Sequence, residues 1–334
     1  MADISTSYMG IELASPVIVG ASTWSRKIEH IKRAEDAGAG ALVIHSLFQE
    51  QIELETEELD EELGAHGEEF PEALSYFPHM EHAGPREHVM WVENARRAVA
   101  MPLIGSLNAT SVGEWVRYAR QLEEAGCNAL ELNLYSVETN PDKTSSDIEK
   151  QALDVIATVK NEVSVPVAVK LSPFYTSLAN FARRVVESGA DGLVIFNRFY
   201  QPFIDPDNER ADISLDLSRQ EDTRLPLRWI GILSSALDVD LAASTGVHTG
   251  KDVIRHILAG AKAVQCVSTL YQNGLGRISE MNNDLAGWMD SHGYGDLEDF
   301  RGELNRRNIG DPYAFERAQY VQLLMGHRMD TFAV

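Results

Sequence analysis

Four times along the chain a helical stretch ends on a small residue followed by glycine and runs directly into an apolar strand. The copies are Ile28–His45 with Ala37-Gly38, Glu114–Leu134 with Ala125-Gly126, Leu178–Phe196 with Ser188-Gly189, and Lys251–Val267 with Ala259-Gly260. Glycine at this point lets a helix stop in a left-handed backbone and frees the chain to turn into the next strand. Helix, stop and strand make half of a βαβ crossover. A chain that repeats them is restricted to a mostly parallel sheet covered by helices.

Buried strands are expected at Pro16–Gly20, Ala41–His45, Pro102–Ser106, Ala129–Leu134, Pro166–Leu171, Gly192–Phe196, Trp229–Leu233 and Ala263–Val267. Eight such strands with helices between them point to an α/β fold, a closed (β/α)8 TIM barrel rather than an open sheet. Ile4–Leu13, turning at Met9-Gly10, reads as an N-terminal hairpin closing the bottom of the barrel. Helices are expected at about Lys27–Ala37, Pro85–Ala98 and Arg277–Ser291, with further helices over Leu297–Leu324. Two stretches break the pattern as rim insertions: Leu47–Met80, rich in glutamate and then in aromatics and prolines, and Arg198–Arg228, whose Pro202, Pro206 and Pro226 forbid one continuous helix. The first is either a lid or oligomer contact or a solvated acidic arm. The reading is one domain, 1–334, with a barrel core over about 14–290 and a helical extension over about 291–334.

A formal net charge of −22 argues against nonspecific nucleic-acid binding and against an anionic membrane surface. It leaves room for a small anionic ligand in a locally positive pocket. Cys127 and Cys266 both sit inside the repeated phrase, where burial as small apolar residues is expected and no disulfide scaffold or Cys-rich metal site is indicated. The N-terminus lacks a basic region followed by an apolar run, and no stretch of eighteen uninterrupted apolar residues occurs, so a cytoplasmic setting is expected.

In such a barrel the chemistry gathers where strands end. The residues there are Ala21 and Ser22, His45 and Ser46, Ser106 and Asn108, Asn133, Lys170 and Ser172, Asn197, the loop Ser244–Gly250 with Thr245 and Gly246, and Ser268 and Thr269. Lys170 lies in Val167-Ala168-Val169-Lys170-Leu171, where an ammonium is costly unless an anion or oriented acceptors meet it; the alternative is a lysine reaching from the strand end to solvent. Asn133 shares a strand face with Glu131 while Leu130, Leu132 and Leu134 take the other, which suits a ligand contact or an internal polar network. His45 is open between a ligand contact and a structural cap. No histidine spacing makes a metal site: His248 and His256 are eight apart, and His79 and His82 have no accompanying ligand set.

The most developed copy of the phrase is Leu241–Gly250 followed by Lys251–Gly260 and Ala261–Leu270. A glycine and hydroxyl turn there leads into a helix whose first N–H groups have no intrahelical partner, a suitable phosphate grip.

Together, Gly246-Val-His-Thr-Gly250 with Asp252 and His256–Thr269, Val169-Lys170-Leu171-Ser172-Pro173 and Glu131-Leu132-Asn133 resemble the dihydroorotate dehydrogenase family, flavoproteins on an FMN-binding (β/α)8 barrel, over nearly the whole span from Tyr8 to Gly274. The resemblance implies an FMN-dependent dehydrogenase acting on a CH–CH bond, in pyrimidine biosynthesis, with fumarate or another electron acceptor and a possible homodimer. It implies that Ala21 and Ser22 approach the flavin, that Lys170 stabilises the N1/O2 edge of the reduced ring, that Asn133 and Asn197 contact flavin or substrate, and that Gly246 and the Val267–Thr269 backbone hold the phosphate. Thr245, His45, Ser46 and Asn108 stand at matching strand ends.

Departures fall on the substrate side. His45 stands where the family commonly has lysine, and the loop Tyr135-Ser136-Val137-Glu138 replaces a Ser-Cys-Pro-Asn type sequence. The resemblance implies that Ser136 stands at the base position and would take a proton from substrate C5 as C6 passes hydride to the flavin, while Glu138 replaces an amide expected to hold the substrate. No asparagine-rich substrate loop is evident around Ala73–Met80. Three readings stay open at this point: dihydroorotate oxidation, oxidation of another small cyclic or carboxylated compound, and a flavin-binding barrel without catalysis.

Overall fold

The computed structural model describes residues 2–48, 85–108, 112–213 and 216–316. Thr6–Tyr8 (β1) and Ile11–Leu13 (β2) pair antiparallel about the Met9-Gly10 turn, the expected N-terminal hairpin. Eight parallel strands then close a barrel: Val17–Val19 (β3), Ala41–Phe48 (β4), Leu103–Asn108 (β5), Ala129–Asn133 (β6), Val167–Leu171 (β7), Gly192–Ile195 (β8), Asp240–Ala243 (β11) and Ala263–Cys266 (β12), with β12 pairing back onto β3. The other two strands, Pro202–Asp205 (β9) and Arg210–Ile213 (β10), form an exposed hairpin within the Arg198–Arg228 insertion. The Leu47–Met80 insertion and the substrate-loop region around Ala73–Met80 fall almost wholly outside the described residues.

Around the barrel lie Ile28–Asp36 (α1), Pro85–Ala98 (α2), Val112–Glu124 (α3), Ser145–Glu162 (α4), Leu178–Glu187 (α5), Arg224–Leu233 (α6), Gly250–Ala259 (α7), Ser268–Asn273 (α8) and Arg277–His292 (α9). The stop glycines do what the phrase requires: Gly38, Gly126, Gly189 and Gly260 all have positive φ, from 84° to 111°. After α9 the described part of the C-terminal extension takes the form of short 3-10 turns, Leu297–Asp299 and Pro312–Phe315.

One expected strand is corrected. Trp229–Leu233 is the second half of α6, and the seventh barrel strand is Asp240–Ala243. The apolar run Trp-Ile-Gly-Ile-Leu reads equally as a buried strand or a helix face, and the structure buries Pro226, Ile230 and Leu233 at helical spacing. The true strand, Asp-Leu-Ala-Ala, has no β-branched residue to signal it.

Alternation along the strands sorts the core into two layers. Val17, Leu42, Leu103, Leu130, Leu132, Val167, Val169 and Val264 face the helices, whereas Ile18, Val43, Ile104, Ala129, Ala168, Val194, Ala242 and Ala263 fill the barrel from the inside, closed below by Tyr8, Met9 and Leu13. Alanines are mixed with isoleucine and valine in the inner set, which fits the limited room where eight strands converge. Cys127 and Cys266 are free and buried, and burial pushes both thiols up to about 12, so they act as apolar filling rather than as nucleophiles.

Candidate functional site

Above that apolar filling, the inward-facing positions turn polar. Glu131 follows Ala129 on β6, Lys170 follows Ala168 on β7, and Gln265 follows Ala263 on β12, each two residues nearer the C-terminal mouth. The three side chains meet inside the barrel: Lys170 Nζ donates to Gln265 Oε1 at 2.8 Å and to Glu131 Oε1 at 3.3 Å, and Gln265 Nε2 donates to Glu131 Oε2. Lys170 is only 7% exposed and Glu131 only 1%, so Lys170 does not reach from the strand end into solvent. A buried ion pair needs further hydrogen bonds to offset its desolvation, and Gln265 supplies one to each end of this pair.

One step further out, Asn197 Nδ2 donates to Asn133 Oδ1 at 2.7 Å, joining the ends of β6 and β8 across β7. Asn133 is in register with Lys170 and with Asn108 on its other side. Asn108 is buried, and its Oδ1 has no hydrogen-bond partner among the described residues; the same holds for Ser22 Oγ. A buried polar atom without a partner in the chain calls for one outside it, whether a water, an ion or a ligand. Ala21, beside Ser22, lies half-buried against the inner core.

Strand β4 carries a register shift between Ile44 and Leu47, where Ser46 Oγ meets Ser106 Oγ at 2.8 Å. Next to it, Ser25 Oγ accepts the His45 backbone N–H at 2.9 Å and lies 3.1 Å from His45 Nδ1. His88, from α2, packs edge-on against the His45 ring at 4.7 Å between centroids. Burial, with His88 and Arg26 adding to it, lowers His45 to about 3, and burial lowers His88 to about 4. Where the family commonly has lysine, this chain therefore presents a neutral imidazole.

The ends of β11 and β12 bring Thr245, Gly246, Val267, Ser268 and Thr269 together, but with a further residue between them. Ser218 N and Ser218 Oγ both donate to Ser268 Oγ, at 2.9 and 2.8 Å, Gly246 N donates to Ser218 Oγ at 3.3 Å, and His248 Nε2 donates to the Ser218 carbonyl at 2.8 Å. Thr245 is held at φ 74° while its hydroxyl donates to the Phe196 carbonyl at 3.2 Å. Below the turn, Asp252 is fully buried and closes a capping box with Thr249 at the start of α7. Burial raises its carboxyl, but hydrogen bonds from Gln220, Thr249 and His248 together hold it below the usual carboxylate range. Gly246 has φ 79°, and a Cβ there would stand 2.2 Å from Thr223 N. Gly246→Ala is expected to displace the Gln220–Thr223 backbone and lower the unfolding free energy by about 2–4 kcal/mol, measured by urea denaturation; a change below 0.5 kcal/mol would show that the contact yields easily.

The substrate-side loop stands apart. Ser136 and Val137 are exposed, and Glu138 turns into its own loop, accepting from Lys143 Nζ at 2.6 Å and from the Asn140 backbone at 2.9 Å. Lys143 and this Asn140 contact hold the Glu138 carboxyl below its usual range. Tyr135 packs on Phe199 at 4.7 Å between centroids, and Phe174 meets Phe199 edge-on at 5.0 Å. Ser218, Gln265, His88 and the Tyr135–Phe199–Phe174 group were not singled out from sequence. Only Gln265 left a signal, a lone polar residue alternating inward in Ala-Val-Gln-Cys.

Three neutral buried histidines have a consequence for stability. His256 is fully buried, with Nε2 2.8 Å from Thr223 Oγ1, and burial lowers it to about 4. Folded-state values below the unfolded value mean that the unfolded chain binds protons first as pH falls. The stability these residues contribute is complete above about 6.5 and is lost progressively towards about 4, at ~1.4 kcal/mol per pH unit per histidine. Unfolding free energy measured between pH 7 and 5 should fall accordingly, and His256→Gln should flatten the slope; equal slopes in the two proteins would contradict the assignment for His256.

A parallel barrel whose polar groups converge at its C-terminal mouth defines a barrel enzyme, and comparison with known proteins specifies which kind. The family model for dihydroorotate dehydrogenase matches residues 86–289. The chain belongs to the dihydroorotate dehydrogenase family and is thus an oxidoreductase of a flavin-dependent group. It is 27% identical over 319 residues to the catalytic subunit of dihydroorotate dehydrogenase B (NAD(+)) of Thermoplasma volcanium, covering 92% of this chain and 100% of that one. It is 25% identical over 211 residues to dihydroorotate dehydrogenase A (fumarate) of Lactobacillus delbrueckii subsp. bulgaricus, covering 62% and 68%. A crystal structure of DHODH from Eimeria tenella in complex with ferulenol shares the fold at a TM-score of 0.65 and 16% identity, covering 90% and 88%. Among the described residues no helix is long and apolar enough to cross a membrane, and no group of three or more His, Cys, Asp or Glu could hold a metal ion.

Proposed function

We propose that this chain is an FMN-dependent dehydrogenase that oxidises dihydroorotate to orotate across its C5–C6 bond. The observation that carries the reading is the Lys170–Glu131–Gln265 cluster with the Asn133–Asn197 pair one step further out at the barrel mouth of a member of this family. The donor set suits a flat heterocycle with a phosphate tail. An ammonium, the amides of Asn133 and Asn197 and the unpartnered Ser22 Oγ and Asn108 Oδ1 suit a ring edge of alternating donors and acceptors. When bound, FMN supplies the two-electron acceptor.

In this reading Lys170 would hold FMN at its N1/O2 edge and supply a counter-charge there, with Asn108, Asn133, Asn197, Ala21, Ser22, His45 and Ser46 to orient flavin or substrate. Thr245, Gly246 and the Val267–Thr269 backbone take the phosphate. Ser136 Oγ receives the C5 proton, and an acceptor such as fumarate or NAD(+), the two named among the relatives, takes up the electrons. Orotate formation should be measured with each acceptor in turn. Formation with either supports the reading, and none with both, from FMN-loaded protein, counts against it.

Glu138 favours a second reading, in which the substrate is another small cyclic or carboxylated compound. An amide expected to hold the substrate is here a carboxylate tied to Lys143. A substrate that binds without this contact would suit the aromatic faces of Tyr135, Phe199 and Phe174 instead.

A further inference from the structure

We infer that Glu131 and Gln265 are positioning residues which orient the Lys170 ammonium and fix the net charge beneath the flavin ring edge, an inference that rests on the FMN reading. An ammonium has three donors and no acceptor. Here one goes to Gln265 Oε1 at 2.8 Å and one to Glu131 Oε1 at 3.3 Å, which leaves the third for a ligand. The amide of Gln265 has only one workable orientation. Its oxygen meets the ammonium and its nitrogen meets Glu131 Oε2, and flipping it would set like against like at both ends. With Glu131 1%, Gln265 2% and Lys170 7% exposed, water does not substitute for any of these contacts.

The charges in this triad sum to zero. Lys170 therefore offers a hydrogen bond of fixed direction, with the field of its ammonium largely offset by the carboxylate beside it. Removing the carboxylate leaves a net positive charge under the ring, whereas Gln265→Met removes one partner of the ammonium and leaves the net charge at zero. A ring that becomes negative on reduction responds more to the first change than to the second.

The test is the midpoint potential of flavin bound to the FMN-loaded protein, measured spectroscopically for wild type, Glu131→Gln and Gln265→Met, with the dissociation constant for FMN alongside. The expected result is an upward shift for Glu131→Gln and a smaller shift for Gln265→Met, with FMN affinity within about tenfold of wild type in both. A purely structural role would reduce thermal stability in both variants without an upward shift in Glu131→Gln. An unchanged potential in Glu131→Gln, or an equal shift in both variants, overturns the inference. If wild-type protein takes up no FMN, the FMN reading fails by itself, and the triad is then tested in flavin-free protein by following the Lys170 ammonium by nitrogen-15 NMR. Faster exchange of its protons with water in both variants than in wild type supports positioning of the ammonium by these residues; no difference from wild type refutes it.

Discussion

Lys170→Ala is expected to slow reduction of the bound flavin by about 10²-fold or more, the scale seen when one oriented donor is removed from a developing anion. FMN affinity should fall with it, because among the described residues the ammonium is the cation of the inner polar cluster with Glu131 and Gln265, beneath the amides of Asn133 and Asn197. The same substitution strands a carboxylate that is 1% exposed, and unpaired buried charges of this kind cost about 3–5 kcal/mol. Stability and chemistry must therefore be separated. The double variant Lys170→Ala/Glu131→Gln removes both charges, so it should recover most of the lost stability in urea denaturation while reduction stays slow. If reduction recovers along with stability, Lys170 serves only the fold.

Ser136→Ala has the opposite profile. Ser136 is exposed on the loop after β6 and bears no part of the core, so stability should change by less than about 0.5 kcal/mol. As the group proposed to receive the C5 proton it should nonetheless matter to the chemical step by about 10²- to 10⁴-fold. Anaerobic stopped-flow reduction of the flavin by dihydroorotate reads that step directly, and FMN binding should be unaltered. A reductive rate equal to wild type would move the base to another group.

The parallel barrel was legible because its defining events are local. A helix that stops at Gly38 or Gly260 declares itself through the backbone freedom it needs, and the apolar strand follows within a few residues. Lys170 was legible for a related reason, since an ammonium inside Val-Ala-Val-Lys-Leu is a local conflict that only a partner resolves. Asp240–Ala243 was not legible. Its strand character comes from pairing with β8 and β12, and its small residues suit the crowded barrel interior rather than any propensity.

The site was legible where single strands end and illegible where distant segments meet. Asn133 and Asn197 were each visible, yet their hydrogen bond depends on the width of one intervening strand. Ser218 reaches Gly246 and Ser268 from inside a polar insertion, and His88 reaches His45 from a helix that follows another, and neither separation in sequence carries a periodic signal. Glu138 shows the complementary case. Sequence identified the substitution, but only the Lys143 and Asn140 contacts show that its carboxylate is committed within its own loop.

The central claim, a flavin reduced by dihydroorotate in this barrel, is tested most directly by anaerobic absorbance titration of the purified protein with its native cofactor retained. Bleaching of an oxidised FMN spectrum in proportion to added dihydroorotate is the expected result. An FMN spectrum that dithionite bleaches but dihydroorotate leaves unchanged would contradict the substrate, and a protein without flavin even after reconstitution with FMN would contradict the cofactor as well.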